Sequence, residues 1–204
     1  MTDNSANNKR IAINTILLYI RMLFTMVISL YTSRVILQVL GADDFGIYNV
    51  VGGVVVLFSF LTNAMTSSTQ RFLNYNFGLK NESKVSHIFN VSILTHFTIF
   101  LLVLLLSETV GLWFVMTQLN IPVGRETATM WVYQMSVVTT LIGIMVIPYR
   151  ASIIAAERMS IFAYVSILEV ALKLVVVLVL SYMSFDNLVM YSILLTLVAM
   201  LNFF

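Results

Sequence analysis

The chain has 204 residues, 60% hydrophobic and only 10% charged, with a mean hydropathy of +0.97. A soluble domain of average composition is about 25% charged, so these values exclude one and point to an all-α integral membrane protein with long, unalternating apolar runs. The net charge of +2 is too small to argue for nucleic acid, and the lack of cysteine excludes a disulfide framework or a cysteine metal site.

Met1–Arg10 is polar and ends in Lys9-Arg10. It reads as a cytoplasmic amino-terminal tail, residues 1–10, because the apolar run behind it is too long for a cleaved signal and contains Arg21. Residues 11–204 form the transmembrane region, with six expected spans: Ile11–Ser33, Phe45–Ser67, Ile88–Leu106, Ala128–Ile147, Met159–Tyr182 and Leu188–Phe204. About 20 residues cross a bilayer, so the chain is expected to end within its sixth helix. Gly41 and Gly46 bracket the first turn, and Pro122 and Pro148 are expected to punctuate helix ends.

Charge in the loops alternates. Lys9, Arg10, Arg71, Lys80, Lys84, Arg150 and Arg158 fall on one side. The other side has only Arg34 and Arg125, with Asp43, Asp44, Glu108, Glu126 and Asp186. The bias predicts a cytoplasmic amino end.

The first span organises the reading of function. Asn14, Arg21, Thr25, Ser29 and Thr32 fall within roughly 80° on a helical wheel, a polar stripe with a cation near the middle of the span. Arg34 lies roughly 180° away and reads as an interface anchor. His96 is near the centre of span three, and Glu169 and Lys173 flank the centre of span five. A charge at such depth costs about 2.5–3.5 kcal/mol on insertion scales, so it faces protein or a watery cavity. Two readings follow. Glu169 and Lys173 form an i,i+4 ion pair that neutralises itself, or Arg21 takes Glu169. Alternatively, Arg21 and Lys173 line a cationic cavity for an anionic substrate, with Glu169 or His96 as proton carrier. At the end of span two, Asn63, Ser67 and Gln70 share a face beside Arg71, either a phosphate-meeting vestibule or a helix end among headgroups. No catalytic, metal-binding or cofactor motif is present, so the expectation is a protein that is not an enzyme.

LGADDFGIYNVVGG, beginning at Leu40, resembles the LGxxxFGxY turn of bacterial oligosaccharide and O-antigen flippases. These belong to the multidrug/oligosaccharidyl-lipid/polysaccharide exporter superfamily. The likeness continues through SSTQRF at Ser67–Phe72, ETVGLWF at Glu108–Phe114, PYRASIIAAERM at Pro148–Met159 and FAYVSILEVALKL at Phe162–Leu174. The resemblance implies a MATE-like fold of two six-helix lobes, of which this chain is the amino-terminal one and a second lobe is the partner. It implies a lipid-linked oligosaccharide on an undecaprenyl pyrophosphate carrier, moved across the bacterial inner membrane. In that role Arg21 and Lys173 hold the anionic carrier. The rivals are an ion-coupled small-molecule exporter of the same superfamily, which favours an acidic cavity for organic cations, and a membrane polysaccharide polymerase or ligase, which calls for a long arginine-bearing periplasmic loop.

Overall fold

The computed structural model describes residues 2–57, 60–79, 81–183 and 185–203, with their side chains except those of residues 2–7, 10, 11 and 60–64. The described elements are helical: α1 Thr2–Val56, α2 Phe60–Gly78, α3 Glu82–Leu106, a π-helical turn Ser107–Gly111, α4 Leu112–Thr117, α5 Glu126–Ala155, α6 Met159–Leu180 and α7 Asn187–Phe203. Among the described residues, four stretches are long and apolar enough to cross a membrane: Ala12–Val56, Glu82–Thr117, Glu126–Ala155 and Met159–Leu180. Asn187–Phe203 is apolar but shorter.

Several expected boundaries move. The first span does not stop at Ser33, because nothing between Ser33 and Leu40 breaks a helix. The break is Gly41, at φ 79°, ψ 172°, a backbone region that glycine alone enters without steric cost. It divides α1 into a first arm, residues 2–40, and a second arm, residues 42–56. Residues 2–10, expected as part of a tail, continue the first arm as helix. The expected second span is shared between the second arm and α2, whose polar run Thr62–Gln70 keeps it below the hydropathy of a spanning helix. The third span does not end at Leu106; the chain stays helical through the π turn to Thr117, since the first strong breakers are Asn120 and Pro122. Pro148 does not end the fourth helix. It is buried inside α5, and the helix runs on to Ala155; neighbouring helices make such prolines tolerable in membranes.

Helix α5 is the axis of the bundle, in contact with both α1 and α2, α3 and α7. Its apolar faces serve two cores. Ala128, Val132, Val137, Leu141 and Ile144 pack with Ile47, Val51 and Val55 of the second arm, Val103 of α3, Val115 of α4 and Leu188 of α7. Ala151 and Ala155 pack with Leu73 of α2 and the half-buried Val85 and Ile88 of α3. A third core joins Ile36 of the first arm to Val176, Val177 and Leu180 of α6 and to Tyr191 and Val198 of α7. On the first arm, Ile16, Ile20, Leu23, Val27 and Leu30 are exposed, as a lipid-facing surface requires.

The π turn has a specific partner. The Tyr133 hydroxyl donates to the Ser107 carbonyl at 2.5 Å, and Tyr133 is fully buried. A methyl group at Gly111 would collide with that hydroxyl. Gly111→Ala is therefore expected to destabilise the bundle by about 1–3 kcal/mol. Thermal unfolding in detergent measures it, and adding Tyr133→Phe should recover part of the loss by removing the clashing oxygen. An unchanged melting temperature for Gly111→Ala would contradict the packing.

One end of the bundle is tied by charge. Arg125, before α5, donates from Nε to Asp44 Oδ1 at 2.8 Å and from Nη2 to the second carboxylate oxygen. Its Nη1 also bonds Asp186, whose other oxygen caps α7 through the Leu188 amide at 3.0 Å. Three of the turns that carry acidic loop residues therefore meet. At the opposite end lie the α2–α3 and α5–α6 turns, held together around Leu73, Val85 and Ala151.

Candidate functional site

Phe162, Ser166, Glu169 and Lys173 follow one another at i, i+4, i+7 and i+11, a single stripe along α6. Arg21 of the first arm meets its lower part. Its Nη1 donates to Ser166 Oγ at 3.2 Å, and its guanidinium carbon lies 4.6 Å from the Phe162 ring centroid. The Ser166 hydroxyl donates its own proton to the Phe162 carbonyl at 2.8 Å, leaving its lone pairs for Arg21. Arg21 Nε is buried without a hydrogen-bond acceptor. Among the described residues no acid lies within ion-pair distance of Arg21. The polar stripe of the first arm does face protein: Asn14, Arg21, Thr25 and Thr32 are half-buried, while Ser29 is exposed.

Glu169 is shared. Lys173 Nζ donates to Oε1 at 2.7 Å and Arg150 Nη2 donates to Oε2 at 2.9 Å. The side chains of Lys173 and Arg150 are 44% and 43% exposed, against 22% for Glu169. The self-neutralising pair therefore exists, but with a second cation on its other oxygen, and Arg21 does not take Glu169. With Arg21 counted, three cations face one carboxylate. At 1.5 Å per residue, Ser166 is about 10 Å and Glu169 about 15 Å along α6 from Met159. Arg21 therefore meets α6 about a third of the way along that helix, although it stands at the middle of its own arm, residues 2–40.

Arg150 is the member that sequence reading missed. Proline disfavours helix for the residue before it, so Pro148 was expected to close the span and leave Arg150 in a loop. The available signal was the apolar, alanine-rich ASIIAA that follows Arg150 and continues the helical pattern.

The remaining candidates lie elsewhere. His96 is fully buried on α3, with Nδ1 2.8 Å from the Ser92 carbonyl and its Nε2 without a partner. The Ser92 hydroxyl is 3.2 Å from Thr69 Oγ1 of α2. These contacts tie His96 to the α2–α3 seam, whereas α6 packs chiefly on α1 and α7. Of the three helices expected to carry charges at a similar depth, α1 and α6 pack on each other and α3 lies apart from them. Gln70 is half-buried and Arg71 exposed, and among the described residues no hydrogen bond or ion pair joins either to the α6 stripe. The side chain of Asn63 lies outside the described residues. Arg34 is exposed, seven residues short of the Gly41 break.

Chemically, the α1–α5–α6 cluster can hold an anion with several acceptor atoms: two half-exposed cations share one carboxylate, and a third guanidinium one turn away has no counter-ion among the described residues. No protein-family model, curated protein or solved structure matches the chain.

Proposed function

We propose that the chain is a six-helix lobe of a MATE-like flippase that exports undecaprenyl-pyrophosphate-linked oligosaccharide across the bacterial inner membrane, with its amino terminus in the cytoplasm. The observation that carries this reading is the excess of cations over acid where Arg21, Arg150, Glu169 and Lys173 gather on α1, α5 and α6. A pyrophosphate is strongly hydrated and does not cross about 30 Å of hydrocarbon unaided. Cations held inside the membrane replace that water, and a lateral opening leaves the lipid tail in the bilayer. The six crossings of this reading are the first arm of α1, its second arm together with α2, α3 with α4, α5, α6 and α7. The second lobe is the partner against which this one rocks in alternating access. The acid of the cluster is held by two bases, which disfavours the rival in which it takes up an organic cation.

Arg21 is assigned to the pyrophosphate. Its guanidinium offers several donors in a planar fork, and among the described residues it is the cation of this cluster with no acid within ion-pair distance. With the gene altered at its native locus, Arg21→Ala is expected to lower surface glycan about tenfold to a hundredfold, the worth of one hydrogen bond to a charged group at about 1.5–3 kcal/mol. Lipid-linked oligosaccharide should accumulate on the inner leaflet at the same time. Arg21→Lys should keep part of the activity, and Arg34→Ala should be mild. Normal glycan display with an Arg21→Ala protein of normal membrane abundance would falsify the assignment. A loss explained entirely by lower abundance would make Arg21 a structural residue.

A further inference from the structure

We infer that an uncharged cavity elsewhere in the bundle binds a neutral polyhydroxylated ligand of the sugar class. It is a half-open cavity between the second arm of α1, α5 and α7, has a volume of about 400 Å³, and sets Tyr48, Asn49, Ser136, Thr140 and Ser192 among apolar residues such as Val56 and Leu195. That volume falls in the range of small-molecule sites, about 300–1,000 Å³. It shares no residue with the cluster around Glu169.

Two hydroxyls are left over there. Elsewhere in the bundle, helix hydroxyls turn back onto their own backbone: Thr32, Thr95, Thr98 and Thr109 each donate to the carbonyl four residues earlier. Among the described residues, Ser136 and Thr140, one turn apart on α5, make no such bond and have no other hydrogen-bond partner. At about 1.5 Å per residue they lie roughly 15–21 Å from Glu126 along α5, deep in the bilayer, where unsatisfied polar groups are costly. Asn49 donates its amide to the Phe45 carbonyl at 2.7 Å, which leaves its oxygen as an acceptor. The room is made by glycine: a methyl at Gly52 would stand 4.0 Å from Ser136 Oγ, and one at Gly53 would meet nothing within 4 Å.

The chemistry of the wall selects the ligand. No charged side chain lines the cavity, so a bare cation or anion would lie at mid-depth without a counter-charge. A sugar is neutral and offers donors and acceptors that match hydroxyls and an amide. Tyr48, packed edge-on against Tyr191 at 4.8 Å between ring centroids, adds an amphipathic aromatic wall.

The inference does not rest on the export reading, although a sugar site in this lobe would suit it. The test uses the chain purified without sugar-headed detergents and placed in phosphatidylcholine nanodiscs. Saturation-transfer NMR is recorded with methyl α-glucopyranoside and with N-acetylglucosamine. Transfer to at least one probe is expected, falling at least fivefold in Gly53→Leu, which fills the cavity. It should fall similarly in Ser136→Ala with Thr140→Val, which removes only hydroxyls and covers the case in which the leucine variant fails to fold. Arg21→Ala should leave the transfer unchanged. No transfer with the unaltered chain, or equal transfer with both cavity variants, overturns the inference. So does sodium-23 relaxation that shows a sodium site abolished by the double variant. Binding of sugar-free undecaprenyl pyrophosphate, compared between the unaltered chain and Arg21→Ala, tests the export reading separately.

Discussion

Replacing Arg125 by alanine is expected to cost on the order of 3 kcal/mol of stability, the lower end of the range for breaking a buried ion pair. The lower end applies because the Arg125 side chain is 32% exposed while that of Asp44 is only 10% exposed. The loss has a specific origin. Asp44 would keep its charge in a buried turn with both of its Arg125 donors gone. Asp186 would lose one partner but keep its bonds to the amides of Leu188 and Val189 at the start of α7. Adding Asp44→Asn should therefore recover most of the stability, whereas adding Asp186→Asn should not, because it weakens a helix cap as well. Unfolding in detergent, read as a double-mutant cycle, separates the two. A cost below about 1 kcal/mol for Arg125→Ala would place the contact among ordinary surface pairs and remove it as the clasp of this end.

Glu169→Gln is the second large effect. It leaves Arg150 and Lys173 facing each other on α5 and α6 with no anion between them. Each uncompensated charge at depth costs up to about 2.5–3.5 kcal/mol on insertion scales, moderated here because both side chains are nearly half exposed. Membrane abundance and thermal stability should both fall. The rescue pattern is the informative part. If Glu169 and Lys173 formed a closed pair, Glu169→Gln with Lys173→Gln would restore stability fully. With Arg150 on the other carboxylate oxygen, that double variant still leaves one cation stranded, and full recovery requires Arg150→Gln as well. Complete rescue by the two-residue change would show that the Arg150 contact contributes nothing. If the triple variant is stable and yet fails to display glycan, the cations act on substrate as well as on each other.

Composition and periodicity were enough to establish an all-helical chain with membrane-spanning stretches, because long apolar runs have few other solutions when every backbone group must be bonded internally. They also placed a cation on a polar stripe of the first helix and an i,i+4 acid–base pair in α6, since both depend only on 100° steps along a single helix. Loop charge grouped Asp44, Arg125 and Asp186 on one side, and the three side chains do meet. The contacts between helices were not legible in this way. Pro148 reads as a stop in one dimension, yet α5 passes through it because packing on α2, α3 and α7 compensates for the lost bond, and this brings Arg150 to Glu169. His96 reads at the same depth as the other charges, but depth along a helix says nothing about which neighbour its face meets, and α3 turns that face to Thr69 and Ser92. Sequence alone determined which side chains are polar inside the membrane and at what helical spacing. The packing of α5 against its neighbours, which is a property of side-chain volumes on several helices at once, decided which of them touch.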